Sequence, residues 1–320
     1  MTNIKKIAEY AGVSVTTVSR VLNNHPYVSD EKRKNVLQAI EHLNYSRNIN
    51  AIHLSKGKTH LIGVIIPYTN HPYYGAIIQG INKTANALGY HIVIFQTQYE
   101  REKEIQALKM LQMKQLDGII ICSRISEMKV LLDYRGYGPI ILCEDTTQSE
   151  FSSISIDHYA AFTSALEYLV TKGYKRIGYS LGRKKSRNSF LRTKAFQDTL
   201  QKYQLTSKDE WLFEGSYYIK DGEEIFQEWA AMQDKPDAIV ITNDDTAAGF
   251  IISAQKSGVK VPEDVAILGF NNDTISEMLD ITTISLPLES IGRMAVELFE
   301  EPEMIKHVKL GFGLVKRRSV

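Results

Sequence analysis

The chain has 320 residues, of which 43% are hydrophobic and 23% are charged. This composition excludes a mostly disordered or fibrous protein, and at roughly 150 residues per domain it predicts two or three units. No apolar run approaches the ~18 residues that a membrane-spanning helix needs, and no signal peptide is recognisable at the start. Cys122 and Cys143 lie in apolar runs, which predicts buried thiols. We therefore expect a cytoplasmic protein with no membrane partner.

The formal net charge of +1 conceals an uneven distribution of charge along the chain. Residues 1–58 carry nine basic and four acidic side chains, which leaves 29 basic and 33 acidic side chains for the remainder. A small basic head on a mildly acidic body is typical of an attached nucleic-acid-binding module, although many solvated helices are also basic.

Three segments of the head have the apolar spacing of short helices. The predicted buried faces are Ile4, Ile7, Ala8 and Ala11 in the first, Val18, Val21 and Leu22 in the second, and Val36, Leu37, Ile40 and Leu43 in the third. Gly12 is placed to end the first helix, and Ser14 and Ser29 are placed to cap the next two. Two short helices joined by a tight turn and braced by a third indicate a helix-turn-helix.

The second helix of such a unit can enter the major groove of DNA with its N-terminus leading. Thr16 and Thr17 would then face base edges, and Arg20 would reach a guanine or a phosphate. The alternative is a small helical bundle whose polar face is merely solvated. The spacing favours DNA binding.

From residue 60 onward, short apolar runs alternate with helical stretches. The predicted strands are Leu61–Ile66, Ile92–Phe95, Gly118–Cys122, Ile140–Cys143, Ile154–Ile156, Ile177–Leu181, Trp211–Glu214, Ala238–Thr242 and Val265–Phe270. The predicted helices are Tyr74–Leu88, Glu102–Met113, Ala160–Lys172, Phe190–Tyr203, Glu223–Met232 and Ala247–Ser257. Apolar strands between helices indicate parallel sheets covered on both faces. Nine strands fit two doubly wound subdomains better than one sheet.

Doubly wound sheets bind ligands beyond the carboxyl ends of their strands. Polar and aromatic side chains follow five of the predicted strands, in segments 67–74, 182–192, 215–218, 243–245 and 271–272. Aromatic rings together with amide, carboxylate and guanidinium groups suit a sugar, so we predict a ligand site here. The alternative is that these loops are polar only because they are exposed.

The segment from Ile4 to Asn24, with its continuations at 28–33 and 43–45, closely resembles the N-terminal signature of the LacI/GalR family of bacterial transcription regulators. Matching stretches at 62–67, 117–120, 243–249, 261–265 and 269–272 extend the resemblance over nearly the whole chain. It implies an all-α helix-turn-helix head and an α/β periplasmic-binding-protein-like body of two doubly wound parallel-sheet subdomains. The implied domains are 1–46 (DNA-binding), 47–59 (hinge) and 60–320 (effector binding and dimerisation). Within the body, the N-subdomain spans about 60–157 plus 288–310, and the C-subdomain spans about 158–287 plus the C-terminal strand.

The family's hinge helix places a leucine as a wedge in the minor groove, and Ala51 and Leu54 stand at the matching positions. Arg47 replaces the family's usual proline and adds a phosphate partner, whereas Ile52 replaces an arginine and removes one. From the head and the resemblance, the candidate DNA-binding residues are Lys5, Lys6, Val15, Thr16, Thr17, Arg20, Asn23, Arg47 and Leu54.

The resemblance also places five residues where family members hold effectors: Tyr73, Arg192, Tyr217 and Asn271, with Asp244 as a weaker candidate. Asn271 stands where the family usually has an acid that grips sugar hydroxyls. Segment 183–192 is strongly basic, since it contains Arg183, Lys184, Lys185, Arg187 and Arg192. It is either a solvated loop or a binding site for an anionic effector such as a phosphorylated sugar.

These observations predict a sequence-specific transcription regulator that binds a pseudo-palindromic DNA operator as a homodimer. Of the two kinds of regulator, they favour a repressor. A small effector, a sugar or a sugar phosphate, would control its affinity. The rival hypothesis is a sugar-binding protein without DNA regulation. A hydrolase is disfavoured, because polar residues rather than a helix follow the G-x-S-x-G match at 178–182. Since nucleotide and metal motifs are missing, we expect no cofactor and no enzymatic activity.

Overall fold

A computed structural model describes residues 3–45, 57–146 and 150–320 of the chain. The chain divides into two compact units, residues 1–59 and residues 60–320. The hinge positions Arg47, Ala51, Ile52 and Leu54 lie outside the described residues. Predictions that concern them stay predictions.

The first unit contains three helices, as the apolar spacing predicts: α1 (Ile4–Ala11), α2 (Val15–Leu22) and α3 (Asp30–His42). Gly12 ends α1 with a left-handed φ of 63°. The helices share one small core of Ile7, Ala8, Ala11, Val18, Val21, Val36 and Ala39. Eight- and thirteen-residue helices are too short to be stable alone, so this shared core holds the unit together.

The prediction that Leu37 belongs to the buried stripe of α3 was wrong, because its side chain is 54% exposed. Val36 is fully buried, as predicted, and so is Ala39, while Ile40 and Leu43 pack against this core. Successive helical residues are rotated by about 100°, so the residue directly after Val36 turns away from the core.

The second unit contains twelve strands among the described residues. They are β1 (Leu61–Ile66), β2 (His91–Gln96), β3 (Gly118–Ile121), β4 (Ile140–Leu142), β5 (Ser153–Ile156), β6 (Ile177–Leu181), β7 (Leu212–Glu214), β8 (Ala238–Val240), β9 (Ala266–Asn271), β10 (Thr282–Ser285), β11 (His307–Leu310) and β12 (Gly313–Val315). They form two six-stranded sheets, in the orders β11-β5-β4-β3-β1-β2 and β12-β10-β9-β8-β6-β7. Every pairing is parallel except that of β10 with β12.

Nine helices accompany the two sheets in the described part of this unit. They are α4 (Pro72–Ala87), α5 (Arg101–Gln112), α6 (Met128–Leu132), α7 (His158–Thr171), α8 (Arg187–Lys202), α9 (Ile219–Ala231), α10 (Asp244–Lys256), α11 (Thr274–Met278) and α12 (Leu288–Glu300). We call the first sheet with its helices the first lobe and the second sheet with its helices the second lobe. α12 follows β10 of the second sheet but packs on α4 of the first lobe, so the chain crosses repeatedly between the lobes.

Both faces of each sheet are covered, which explains the continuous apolar runs of the strands. Along β1, Ile62 and Val64 belong to the core on one face, whereas Ile65 packs with Leu108 of α5 on the other. In the second sheet, Val240 and Ile239 divide between two cores in the same way. This architecture confirms the predicted fold class.

All nine strands predicted from apolar runs are present, and three more, β10 to β12, carry no such run, although the family resemblance implied a C-terminal strand where β12 lies. β11 and β12 are short and only partly buried, and β10 reads as polar because three of its four residues are Thr or Ser. The predicted helices begin one to four residues too late, since the apolar period marks the buried face of a helix and not its cap. Gly89, Gly173 and Gly258 stand past helix ends with positive φ angles, as predicted.

Candidate nucleic-acid interface and ligand cavity

The polar face of α2 is exposed on the first unit. Among the predicted DNA-binding residues of the first unit, six on or beside α1 and α2 are exposed: Lys5, Lys6, Val15, Thr16, Arg20 and Asn23. Thr17 is partly buried. The side chain of Ser14 caps α2 by accepting a hydrogen bond from the Thr17 amide at 3.2 Å. This cap fixes the start of α2, and the backbone N-terminus that would meet a groove is thereby ordered.

Three of the sequence-predicted residues on α2 differ in how available their polar atoms are. The Thr17 hydroxyl lies 2.9 Å from the Ser14 hydroxyl, so the cap already engages it. The hydroxyl of Thr16 and the guanidinium of Arg20 lie on the exposed face. Thr16 and Arg20 are therefore better placed than Thr17 to reach a partner by their polar atoms.

A cavity lies between the two lobes, at the carboxyl ends of the strands. Its lining consists of His71, Tyr73, Tyr74, Tyr99 and Ser123 from the first lobe and Gly182, Arg183, Ser186, Asn188, Ser189, Arg192, Ser216, Tyr217, Thr242, Asn243 and Asn271 from the second. Four of the five predicted effector residues, Tyr73, Arg192, Tyr217 and Asn271, thus come together in one cavity.

Arg192 projects from α8 into the cavity wall. Its guanidinium stacks over the Phe270 ring at 4.8 Å, and one Nη atom lies 3.4 Å from His158 Nδ1. Burial lowers the pKa of Arg192 to about 10, so the side chain stays protonated at neutral pH. Burial together with the Arg192 charge lowers the pKa of His158, which leaves a neutral imidazole that can accept from the guanidinium.

Arg183 of the second lobe contacts two residues of the first lobe. Its guanidinium lies over the Tyr99 ring at 4.2 Å, and an Nη atom donates to the Arg124 carbonyl oxygen at 3.2 Å. Tyr99 in turn shares hydroxyl contacts with Tyr74 at 3.2 Å and Ser123 at 3.3 Å. A cation stacked on a fixed aromatic ring is held in position without a carboxylate partner.

Aromatic rings from both lobes meet at the cavity mouth. The ring centroids of Tyr68 and Tyr217 lie 5.9 Å apart, and those of His71 and Tyr217 lie 6.4 Å apart. Burial lowers the pKa of His71 to about 4, and burial raises the pKa of Tyr73 and of Tyr217. These side chains are therefore uncharged at neutral pH.

Asn271 ends β9 at the floor of the cavity in an unusual backbone conformation, with φ of 109°. Its Nδ2 donates to Asp273 Oδ2 at 3.3 Å, and its Oδ1 is buried without a hydrogen-bond partner among the described residues. Residues held at positive φ cluster at binding sites, where the surrounding structure maintains the strain.

Asp244 does not line the cavity. Its carboxylate is completely buried at the start of α10, where it accepts hydrogen bonds from the Thr283 hydroxyl at 2.7 Å and the Asp273 amide at 2.7 Å. Burial raises the pKa of Asp244 to about 7. The carboxylate thus ties α10 to β10 and to the loop after β9.

Ser180 of the G-x-S-x-G match lies within β6 and is fully buried. Its hydroxyl donates to the Ser216 hydroxyl at 3.0 Å and accepts from the Thr242 amide at 3.0 Å. A serine nucleophile must be exposed at a strand-to-helix turn. Ser180 instead connects three strand ends beneath the cavity.

Sequence reasoning missed Tyr99 and Ser123. They follow β2 and β3, two strands whose downstream loops were not searched. The strand-end rule that led to the other loops, applied to every strand of the first sheet, would have found both. In the described part of the chain, no group of three or more His, Cys, Asp or Glu is arranged to hold a metal ion, and no helix there is long and apolar enough to cross a membrane.

A helix-turn-helix unit followed by a two-lobed α/β unit with a polar cavity between its lobes is the architecture of a DNA-binding regulator. Bacterial regulatory proteins of the lacI family match residues 3–48. Periplasmic binding proteins and the sugar binding domain of the LacI family match residues 59–309. The chain therefore belongs to the LacI family of bacterial transcription regulators, as the resemblance implied.

Several relatives support this membership. The uncharacterized HTH-type transcriptional regulator YkvZ of Bacillus subtilis (strain 168) is 43% identical over 323 residues, covering 100% of both chains. The Lac repressor dimer bound to operator and the anti-inducer ONPF is 25% identical with a TM-score of 0.84, covering 99% of this chain and 98% of that one. A LacI family transcriptional regulator from Lactobacillus casei with bound glucose is 27% identical with a TM-score of 0.75, covering 81% and 99%. These relatives are transcription regulators and not enzymes.

Proposed function

We propose that this protein is a repressor whose affinity for a DNA operator is controlled by a small hydroxylated effector bound between the two lobes. The observation that carries the proposal is the presence, on one chain, of an exposed α2 face and an interlobe cavity lined by phenols, amides, hydroxyls and guanidinium groups. Such linings place many donors and acceptors around ring faces, and they suit sugar-like molecules.

The operator contacts are assigned to the head and the hinge. In this proposal Thr16 faces base edges and Val15 meets a thymine methyl, whereas Lys5, Lys6, Arg20, Asn23 and Arg47 contact phosphates. Thr17 contributes its methyl group, and Leu54 acts as the minor-groove wedge. The Lac repressor's capture as a dimer on its operator supports a homodimer on a pseudo-palindromic site.

The effector contacts are assigned to Tyr73, Arg192, Tyr217 and Asn271. The Lactobacillus casei regulator with bound glucose supports a sugar-like effector. Asp244 is left out of the set, because its buried carboxylate already accepts hydrogen bonds from Thr283 and Asp273. Its role is to hold the loop that presents Asn271.

The switch is assigned to closure of the lobes. Contacts that cross the cleft include the Tyr218 hydroxyl with Asn70 at 3.3 Å and the Arg187–Asp145 ion pair at 3.8 Å. An effector that favours or disfavours these contacts shifts the populations of open and closed forms, typically by 1–3 kcal/mol of coupling. The shift is transmitted to DNA through the hinge segment 47–59.

The test is selection of duplex sequences from a random pool by the full-length protein, followed by gel shifts with DNA from upstream of its own gene. Arg20→Gln should weaken binding to the selected duplex at least tenfold, since it removes a charged contact. Lys109→Gln removes an exposed charge from α5 of the body and should leave the affinity unchanged. Equal binding of selected and random duplexes would contradict the proposal and favour a sugar-binding protein without DNA regulation.

A further inference from the structure

The interlobe cavity is lined by two guanidinium groups and by no carboxylate among the described residues. Arg183 and Arg192 supply the positive charge, and the remaining lining is neutral. Asn271 stands at the position where the family resemblance implies an acid. Asp273 accepts a hydrogen bond from the Asn271 side chain but does not itself line the cavity.

Only some of the positive side chains in the basic segment 183–192 form ion pairs with carboxylates. Lys184 pairs with Glu214 at 2.6 Å and Arg187 pairs with Asp145 at 3.8 Å, whereas Lys185 is solvent-exposed. The neighbouring Arg124 pairs with Glu144 at 2.6 Å. Arg183 and Arg192 belong to none of the described chain's ion pairs, and the segments outside the description contain no Asp or Glu. The two uncompensated guanidiniums are therefore the two that face the cavity.

Both guanidiniums also keep an unused donor. The Nε atoms of Arg183 and Arg192 are buried and have no hydrogen-bond partner in the described structure. Leaving a buried charged donor unsatisfied is costly, and in a native structure a bound ion is one of the explanations for such a donor. Arg donors recognise phosphate and carboxylate oxygens in preference to neutral hydroxyls.

Backbone dipoles add to this positive potential. The N-terminal caps of α4, α8 and α10, which are His71, Ser186 and Asn243, all line the cavity. A helix N-terminus carries a partial positive charge of about half an electron and favours anions. His71 and His158 are neutral, so they neither add to nor compensate the charge of the arginines.

From these observations we infer that the effector is an anion, with a phosphoryl or carboxylate group held by Arg183 and Arg192 on a hydroxylated carbon frame held by the phenols and amides. The inference rests on the proposed function, whose effector class it narrows. Arg183 contacts Tyr99 and Arg124 of the first lobe, so the anion binds where the two lobes meet.

The test is titration calorimetry of the full-length protein with matched probes. The pairs are glucose with glucose 6-phosphate, fructose with fructose 6-phosphate, and ribose with ribose 5-phosphate. Gluconate provides the carboxylate arm, and inorganic phosphate serves as the bare anion. All titrations are made at one ionic strength, with wild type, Arg183→Gln, Arg192→Gln and the matched control Lys185→Gln, which removes a positive charge from the same loop outside the cavity.

In at least one matched set the anionic member should bind about tenfold to a hundredfold more tightly than the free sugar, the range expected for hydrogen bonds to charged groups. Arg183→Gln and Arg192→Gln should abolish most of that preference, whereas Lys185→Gln should retain it. Thermal melts of each variant establish that the protein is folded, and neither cavity substitution removes an ion pair.

Equal or tighter binding of the free sugars would overturn the inference, and so would the absence of binding by every anionic probe. An unchanged preference in both arginine variants would do the same. Gel shifts separate this failure from failure of the proposed function. Release or recruitment of a selected duplex by a neutral sugar leaves the regulator intact and refutes only the anionic effector.

Discussion

Gly80 on α4 lies directly against the backbone of α12. A Cβ atom at this position would stand 2.1 Å from the Glu289 carbonyl oxygen and 3.0 Å from the Arg293 amide nitrogen. Gly292 on α12 faces back in the same manner, since a Cβ atom there would stand 2.0 Å from the Ile77 carbonyl oxygen. The two helices are thus in backbone contact, and α4 carries Tyr73 into the cavity at its N-terminal end.

Gly80→Ala should force the helices apart. Ordinary van der Waals contact requires about 3.4 Å, so the backbones must separate by more than 1 Å. Overpacking of this kind costs about 1–3 kcal/mol or more, against an alanine helix-propensity gain of about 0.5–1 kcal/mol. We expect a net loss of roughly 1–2 kcal/mol of unfolding free energy, with weakened effector binding because Tyr73 shifts with α4.

Gly75→Ala is the matched control, because it makes the same change in the same helix at a site with no atom within 4 Å of the new Cβ. It should stabilise the protein by about 0.5–1 kcal/mol. Urea unfolding followed by circular dichroism measures both variants. If Gly80→Ala proves as stable as Gly75→Ala, the close contact between α4 and α12 is refuted.

Three further substitutions probe the head, the buried acid and the cavity. Ser14→Ala removes the cap of α2 and should cost about 1 kcal/mol of unfolding free energy in the head, whereas Ser29→Ala should cost little, because Ser29 makes no side-chain cap bond. Thermal unfolding of the head measures both variants, and equal losses of stability would contradict the cap. Burial raises the pKa of Asp244 to about 7, so its stabilising contribution is full at low pH and is lost as the pH rises through about 4 to 7. The free energy of unfolding of wild type relative to Asp244→Asn should therefore fall over that range, by up to about 1.4 kcal/mol per pH unit, and a flat difference would refute the buried proton. Asn271→Asp adds a carboxylate to the cavity and should shift its preference from anionic to neutral sugars in calorimetry; an unchanged preference would argue against charge as the selecting property.

Most of the fold is encoded locally and was predictable. Buried parallel strands are apolar throughout, so the sequences of β1 and β3 predict strands without knowledge of the strands they pair with. β11 and β12 depend on pairing with β5 and β10 far along the chain, and their own residues carry little signal. The ranges of the helices were predictable to within a few residues, because periodicity marks the buried face and not the cap.

The candidate site was predictable to the same degree. The strand-end rule places Tyr73 and Asn271 at the cavity from sequence alone. It does not separate Arg183 from Lys184, since the difference lies in Glu214, which pairs with Lys184 from 30 residues away. Asp244 was misjudged for a similar reason, because its partner Thr283 is 39 residues distant. Properties that depend on such contacts require the folded structure.

The central claim is that the head selects a DNA sequence and that occupancy of the interlobe cavity alters this selection. Its most direct test is the affinity of the full-length protein for its selected duplex and for a random competitor, with and without a calorimetrically verified effector. We expect a specificity ratio of at least about a thousandfold, changed about fivefold or more by the effector in wild type but not in Arg192→Gln. A ratio near one in every condition would contradict the account.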